Sequence, residues 1–149
     1  MNSRKRYKKS ELINFTYNIL KKVGLNNSNS KIISDLIIRA DERGVWSHGI
    51  VRLPAYVNRI EKKAAKKNPN FKFKKISNNI FHLSGDNGLG YLAANAGIKK
   101  CVSLAKEKGI GLVAISKSNH FGMAANYLEF ASKNKCCLLY TSPSPRDWD

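Results

Sequence analysis

The chain has 149 residues, enough for one domain with a hydrophobic core, and its 27 Lys and Arg against 10 Asp and Glu give a formal net charge of +17. Its three cysteines, two of them adjacent, form no disulfide framework, and its three histidines show neither paired spacing nor an acidic cluster that would predict a metal site. We find no segment of roughly 20 apolar residues and no apolar region after the basic start, and therefore expect a cytoplasmic protein that is not bound to a membrane.

The excess of positive charge makes a small basic nucleic-acid-binding module one hypothesis. Twenty of the basic residues are lysines, scattered over predicted helix faces and loops. They are not accompanied by the aromatic-rich strands that stack bases. A solvated lysine-rich surface explains the charge as well, so we expect no specific nucleic-acid partner and keep the module as the alternative.

The N-terminal part predicts a basic, disordered arm over residues 1–9 and then two amphipathic helices. The first helix is expected to begin with Ser10 as its N-cap and to stop at Gly24. The second takes a cap from residues 27–30 and ends at Gly44. Because both carry an apolar stripe and a short polar turn joins them, they should pack as a helical hairpin.

The next segment places His48, Arg52 and Tyr56 four residues apart. On a helix this spacing aligns the three side chains along one face, with a drift of about 40° per step. An imidazole, a guanidinium and a phenol on one side suit a small carboxylate. Pro54 stands between them, so the helix either starts late with Pro54 in its first turn or bends there. An ordinary surface helix with Tyr56 half-buried is the alternative.

Residues 62–75 predict a solvated lysine-rich linker that leads into an edge strand at about 71–76. A turn and a second strand over residues 80–83 follow, with His82 packing among apolar neighbours or pointing outward. The glycine-rich stretch 85–90 then leads into a helix over 91–108. This stretch lacks the Gly-x-Gly-x-x-Gly order, and it is either a tight structural turn or a phosphate cradle at a helix N-terminus.

His120 lies on a loop between a predicted buried strand over 109–115 and a predicted helix over 123–131. The helix over 91–108, followed by a strand over 110–115, completes a β-α-β pattern with a crossover connection. Junctions after strands are where α/β proteins often place their chemistry, and a histidine both accepts and donates protons near neutral pH. A histidine that caps the helix or bonds within the loop is the alternative.

Three blocks taken together, residues 47–56, 85–90 and 118–122, resemble the type 2 malate/L-lactate dehydrogenase family, which includes ureidoglycolate and sulfolactate dehydrogenases. The resemblance extends from about Ser10 to Lys135. It implies a mixed α/β fold with a crossover helix that differs from the doubly wound dinucleotide fold. It also implies oxidation of a small 2-hydroxy acid, or reduction of the 2-oxo acid, with NAD or NADP, in a protein that forms a homodimer.

The resemblance also implies roles for individual residues. His120 matches the proton acceptor and donor, and Arg52 matches the clamp for the substrate carboxylate. The other matched residues line the substrate pocket (Ser47, His48 and Tyr56) or lie next to the nicotinamide (Asn119, Phe121 and Gly122). On this basis residues 10–65 form a substrate-side helical segment, and residues 66–135 form the first part of a cofactor-binding domain.

The final residues, 136–149, begin like a strand and pass into Ser-Pro repeats. They resemble a translated sequencing-adapter tail, so we expect them to be non-native and the natural sequence to differ after about Lys135. The chain would then be a truncated fragment, with most of its pyrophosphate and adenine site missing. We therefore expect the fragment to be inactive or barely active.

Overall fold

A computed structural model describes residues 6–139 of the chain. Within this range the fold has five α-helices, a three-stranded sheet and three 3-10 turns. The helices are α1 (Lys9–Lys22), α2 (Asn27–Glu42), α3 (Leu53–Glu61), α4 (Gly90–Lys108) and α5 (Leu128–Lys133). The strands are β1 (Lys72–Lys75), β2 (Ile80–Gly88) and β3 (Leu112–Ser118), and the 3-10 turns are Trp46–His48, Ile50–Arg52 and Ala124–Tyr127. The predicted mixed α/β class is confirmed.

The helical hairpin forms as predicted, but its N-caps differ from the prediction. Gly24 and Gly44 follow the ends of α1 and α2 with φ of +97° and +73°, the left-handed conformation that glycine adopts without strain. Ser10 lies inside α1, whose N-cap is Lys8. Helix α2 is capped by Asn26, whose side chain accepts a hydrogen bond from the Asn29 N–H at 2.8 Å. The cap is therefore Asn26, one residue before the predicted range 27–30.

The sheet has the order β1-β2-β3, with β1 antiparallel and β3 parallel to β2. Helix α4 connects β2 to β3 and packs against both, which confirms the predicted β-α-β crossover. Helix α2 contacts α4, and buried residues of α1, α2, α3 and α4 form one hydrophobic cluster: Leu20, Ile33, Ile37, Ile60, Tyr91 and Leu92. The division into a segment over 10–65 and a second over 66–135 stays a prediction.

The predicted linker over residues 62–75 is more ordered than expected. Ala65 is buried, and the Lys66 N–H donates to the Asn87 carbonyl at 2.9 Å. The Asp86 carboxylate accepts from Lys66 Nζ at 2.6 Å and from the Asn70 N–H at 3.0 Å. Strand β2 runs five residues further than predicted, to Gly88, and the positive φ of Asp86 and Asn87 turns their polar groups toward this segment.

Two expectations about the C-terminal part are wrong. Strand β3 is exposed rather than buried, with Leu112 51% and Ile115 39% accessible, because it forms an outer edge of the described sheet. The helix predicted over 123–131 divides into a 3-10 turn and the short helix α5. Residues 136–139 form no strand, although Cys136 and Leu138 pack against the core, and residues 140–149 lie outside the described range. No helix between residues 6 and 139 is long and apolar enough to span a membrane.

Candidate active site

His48, Arg52 and Tyr56 approach one site, although they do not lie on one helix. His48 ends the first 3-10 turn, Arg52 ends the second, and Tyr56 lies in α3. Pro54 occupies the first turn of α3, where its missing N–H costs no helical hydrogen bond. Of the two predicted alternatives, the late helix start is therefore the one observed, and the prediction of a single helical face is wrong.

Asp41 of α2 positions the second 3-10 turn, which carries Arg52. Its carboxylate accepts a hydrogen bond from the Ile50 N–H at 2.7 Å. A Cβ atom at Gly49 would overlap this carboxylate, so only glycine lets the chain pass so close to Asp41. Burial raises the pKa of the Asp41 carboxyl and the bond from Ile50 opposes that rise. Nothing in the spacing of the sequence indicates this contact.

We expect the substitution Gly49→Ala to destabilise the protein by about 1–3 kcal/mol, the usual cost of inserting a methyl group into a packed site. The backbone at Gly49 has φ of −89°, so the loss would be steric rather than conformational. Urea unfolding measures it, and in an Asp41→Ala background the same substitution should cost less. An unchanged unfolding midpoint in Gly49→Ala would contradict the contact.

His120 lies at the centre of the site, on the loop after β3, as predicted. Its Nδ1 atom accepts from the Gly122 N–H at 3.3 Å and lies 2.8 Å from the Tyr56 hydroxyl. The His48 and His120 rings are 5.4 Å apart, between centroids. Ser47 joins the site through its carbonyl oxygen, which accepts from Arg52 Nε at 2.7 Å, and through its hydroxyl, 2.9 Å from His48 Nδ1.

The surroundings of His120 favour its neutral form. Burial lowers the pKa of the His120 imidazole, and electrostatic interactions with His48, Arg52 and Arg59 lower it further. Burial raises the pKa of the Tyr56 hydroxyl. At neutral pH the site therefore pairs a neutral imidazole, able to accept a proton, with a protonated phenol and two guanidinium groups.

The lowered pKa of His120 predicts a loss of stability on acidification. Between the folded-state pKa and the 6.5 of an ordinary histidine, the unfolded chain binds more protons than the folded chain. The contribution of His120 is thus complete above pH 6.5 and is lost as the pH falls through the folded-state value. Urea unfolding at several pH values should show a smaller acid loss in His120→Asn than in the wild type. Equal losses would contradict the lowered pKa.

The loop that carries His120 is held by the glycine-rich end of β2. Asn119 donates through Nδ2 to the carbonyl oxygens of Asn87 and Gly88, both at 3.1 Å, and accepts from the Arg59 guanidinium at 2.8 Å. The Gly90 N–H donates to the His120 carbonyl at 3.1 Å, and a Cβ at Gly90 would overlap the backbone of this loop. Of the two alternatives for residues 85–90, this geometry favours the structural turn, because the first N–H of α4 is not available to a phosphate.

A groove of about 530 Å³ lies beside this loop. Small residues of α4, apolar side chains of β3 and the ring of Phe121 line most of it, with polar groups of Ser118 and Asn119 at its rim; the α4 and β3 residues are Gly90, Ala94, Gly97, Val113 and Ile115. A mostly apolar groove with a few polar groups fits an aromatic ring that carries an amide. Gly122 does not line it, because its backbone, with φ of +77°, is buried against the ring of Tyr91.

Two residues of the site were not identified from the sequence. Arg59 lies seven residues after Arg52 and three after Tyr56, a spacing that would have placed it on their side of the molecule. Tyr91 contacts Tyr56 through the hydroxyl groups, 3.1 Å apart, and no sequence signal indicated this. His82 bonds instead to the Ser116 hydroxyl within the sheet, at 2.7 Å. Residues 6–139 contain no group of three or more His, Cys, Asp or Glu side chains that could hold a metal.

Comparison with known proteins assigns the family. The profile described as malate/L-lactate dehydrogenase matches residues 7–147. The chain belongs to the malate/L-lactate dehydrogenase family. The match includes residues 136–147, which we had predicted to be non-native, and the origin of that segment stays a prediction.

Relatives within the malate/L-lactate dehydrogenase family include proteins with several names. The chain is 38% identical over 116 residues to the malate/(S)-sulfolactate dehydrogenase of Methanothermus fervidus, which is 78% of this chain and 34% of that protein. It is 29% identical to the ureidoglycolate dehydrogenase (NAD(+)) of Escherichia coli over 78% of this chain and 33% of that protein. The chain thus spans about a third of the length of these relatives.

A solved structure supports the same assignment. The malate dehydrogenase of Pyrococcus horikoshii superposes with a TM-score of 0.84 at 33% identity. The superposition covers 87% of this chain and 37% of that one. The arrangement of helices and sheet described above is therefore that of the N-terminal part of a malate/L-lactate dehydrogenase.

Proposed function

We propose that this chain supplies the substrate side and the proton donor and acceptor of an NAD(P)-dependent dehydrogenase for small 2-hydroxy acids. The main observation is that three groups lie in one site: the neutral imidazole of His120, the buried phenol of Tyr56 and the guanidinium of Arg52. Relatives named as malate and sulfolactate dehydrogenases support this substrate class. Relatives named with NAD(+) and with NADP(+) both occur, so either nucleotide fits the family.

Arg52 binds the carboxylate of the acid in this proposal. Its Nε donates to the Ser47 carbonyl at 2.7 Å, which holds the guanidinium in one orientation. The terminal nitrogens can then form the bidentate contact that a planar carboxylate favours. His48, whose ring lies beside that of His120, borders the space in which the rest of the acid would lie.

His120 exchanges a proton with the substrate oxygen in this proposal. When bound, a nicotinamide nucleotide supplies the hydride acceptor or donor. Nδ1 of His120 is engaged by Tyr56 and Gly122, which leaves Nε2 to face the substrate. In the neutral tautomer that carries its proton on Nδ1, Nε2 takes the hydroxyl proton as the carbonyl forms, and it returns a proton to the oxygen in the reverse direction, so that a free alkoxide is avoided.

The groove beside Phe121 fits the nicotinamide end of the nucleotide. It is mostly apolar, has polar groups at one rim and adjoins the loop of His120. The proposed contacts are those of Phe121 and Asn119, with Gly122 holding the loop in place behind them. Because Gly90 N–H is bonded to the loop, we place no phosphate there, and we propose that the 149-residue chain alone does not bind NADH with micromolar affinity. Dimerisation of the longer protein is likewise a proposal from the family.

The test uses the extended protein, which we define as the product of the gene continued past codon 135 to its natural stop. It is assayed with NAD⁺ and NADP⁺ against L-malate, L-lactate and sulfolactate, and secondary alcohols without a carboxylate are the control. We expect cofactor reduction with at least one 2-hydroxy acid and none with the alcohols. A folded protein that turns over none of the acids would overturn the proposal.

A further inference from the structure

Two buried hydroxyl groups connect the imidazole of His120 to a backbone carbonyl. His120 Nδ1 lies 2.8 Å from the Tyr56 hydroxyl, which lies 3.1 Å from the Tyr91 hydroxyl. The Tyr91 hydroxyl can donate in turn to the carbonyl oxygen of His48, at 3.5 Å. Tyr56 is 2% and Tyr91 0% exposed, so bulk water does not replace these partners. The imidazole, the two hydroxyls and the carbonyl thus form a hydrogen-bonded hydroxyl chain of four groups, in which the two hydroxyls can reverse their direction of donation.

We propose that Tyr91 is a positioning residue for His120, because its hydroxyl lets Tyr56 bond to the imidazole both when Nδ1 is free of a proton and when it carries one. This inference rests on the proposed role of His120 in proton exchange. It adds a buried residue of α4 to the groups that act on His120.

The resting direction of the hydrogen bonds between these four groups follows from the contact of Gly122 with His120. Since the Gly122 N–H donates to His120 Nδ1, this nitrogen carries no proton, and the neutral imidazole holds its proton on Nε2. The Tyr56 hydroxyl must then donate to Nδ1. Its oxygen is left to accept from the Tyr91 hydroxyl. All donation in this form runs toward the imidazole.

Proton exchange at Nε2 requires hydrogen-bond donation in the opposite direction, away from the imidazole. Both the imidazolium and the neutral form with an open Nε2 lone pair carry a proton on Nδ1. In these forms Nδ1–H donates to the Tyr56 oxygen, Tyr56 donates to Tyr91, and Tyr91 donates to the His48 carbonyl. The heavy atoms of the hydroxyl chain can stay in place: the two hydroxyl hydrogens rotate, the imidazole carries a proton on Nδ1, and the Gly122 N–H gives up its hydrogen bond to that nitrogen. Without the Tyr91 oxygen, the buried hydrogen of Tyr56 has no acceptor in the second direction, which disfavours those forms.

The other groups around His120 do not perform this function. The electrostatic interactions of His120 with His48, Arg52 and Arg59 all lower its pKa, which disfavours the imidazolium. Tyr127 donates to the Phe121 carbonyl at 2.7 Å and so holds the same loop without bonding to Tyr56. Among the described residues, no carboxylate contributes to the pKa of His120. The hydroxyl chain is therefore the group that can stabilise a proton on Nδ1.

Tyr91→Phe removes the hydroxyl and keeps the ring that packs against Gly122. The experiment measures the tautomer and the titration midpoint of His120 in the 149-residue chain by long-range ¹⁵N–¹H NMR, with His48→Gln and His82→Gln used for assignment. We expect Tyr91→Phe to move the midpoint to lower pH and to increase the Nε2–H tautomer. The matched control is Tyr127→Phe, which removes a tyrosine hydroxyl that bonds to the same loop through the Phe121 carbonyl and should leave both quantities within the fitting error.

Tyr56→Phe provides a second variant, which applies even if Tyr91→Phe does not fold. It should move the midpoint in the same direction, and adding Tyr91→Phe to it should change nothing further. An unchanged His120 in Tyr91→Phe, or an equal change in Tyr127→Phe, would overturn the inference, as would an unchanged His120 in Tyr56→Phe. None of these measurements needs cofactor or turnover, so a failure here is distinct from a failure of the dehydrogenase proposal.

Discussion

The substitution His120→Asn is expected to lower kcat of the extended protein by about 10²- to 10⁴-fold, the usual contribution of a positioned general acid or base. Asparagine can still accept a hydrogen bond from Tyr56 or Gly122, so that the loop stays in place. It cannot take up the substrate proton. The KM for the nucleotide should change little, since the groove is lined by Phe121 and the residues of α4 and β3 rather than by the imidazole.

The matched control for this prediction is His82→Asn. His82 is also a histidine with a side-chain hydrogen bond, but it bonds to Ser116 within the sheet. Steady-state kinetics in both directions should show near-normal turnover for this control. If His120→Asn retained kcat within about threefold of the wild type, His120 would not be the proton donor and acceptor.

The substitution Arg52→Leu is expected to raise KM for the 2-hydroxy acid by roughly 10- to 100-fold, because it removes charge-assisted hydrogen bonds worth about 1.5–3 kcal/mol. Arg52→Lys should recover only part of the loss, since an ammonium cannot form the planar bidentate contact. Initial-rate measurements at saturating nucleotide separate this effect from nucleotide binding.

A matched control for Arg52 is Arg43→Leu, which removes the same charge from the exposed C-terminal cap of α2. It should leave KM for the acid near the wild-type value. If both variants raised KM equally, general attraction of the anion by a positively charged protein would explain the effect. That result would contradict a specific carboxylate contact at Arg52.

Local signals in the sequence were sufficient for much of the fold. Gly24 and Gly44 ended the hairpin helices as predicted, because a left-handed residue after a helix strongly favours glycine. The order of strand, helix and strand predicted the crossover around α4. Strand β3 shows the limit of this approach, since its apolar composition predicted burial but could not show that the strand would lie at an open edge of the described sheet.

The candidate site was predicted in part. The side chains of His48, Arg52 and Tyr56 do meet near His120, but two 3-10 turns that meet at Gly49 bring them there rather than one helix face. No sequence signal indicated that Asp41 holds the 3-10 turn of Arg52, or that Tyr91 contacts Tyr56, because both contacts join residues from different elements. Such tertiary contacts leave no periodic pattern along the chain.

The proton-exchanging role of His120 is tested most directly by comparing two titrations of the same group. One is the NMR midpoint of His120 in the 149-residue chain, and the other is the pH dependence of kcat/KM for 2-hydroxy acid oxidation by the extended protein. We predict that kcat/KM rises with pH to a plateau, that its midpoint matches that of His120 below 6.5, and that His120→Asn abolishes this dependence. A profile that His120→Asn leaves unchanged would contradict the role assigned to this imidazole.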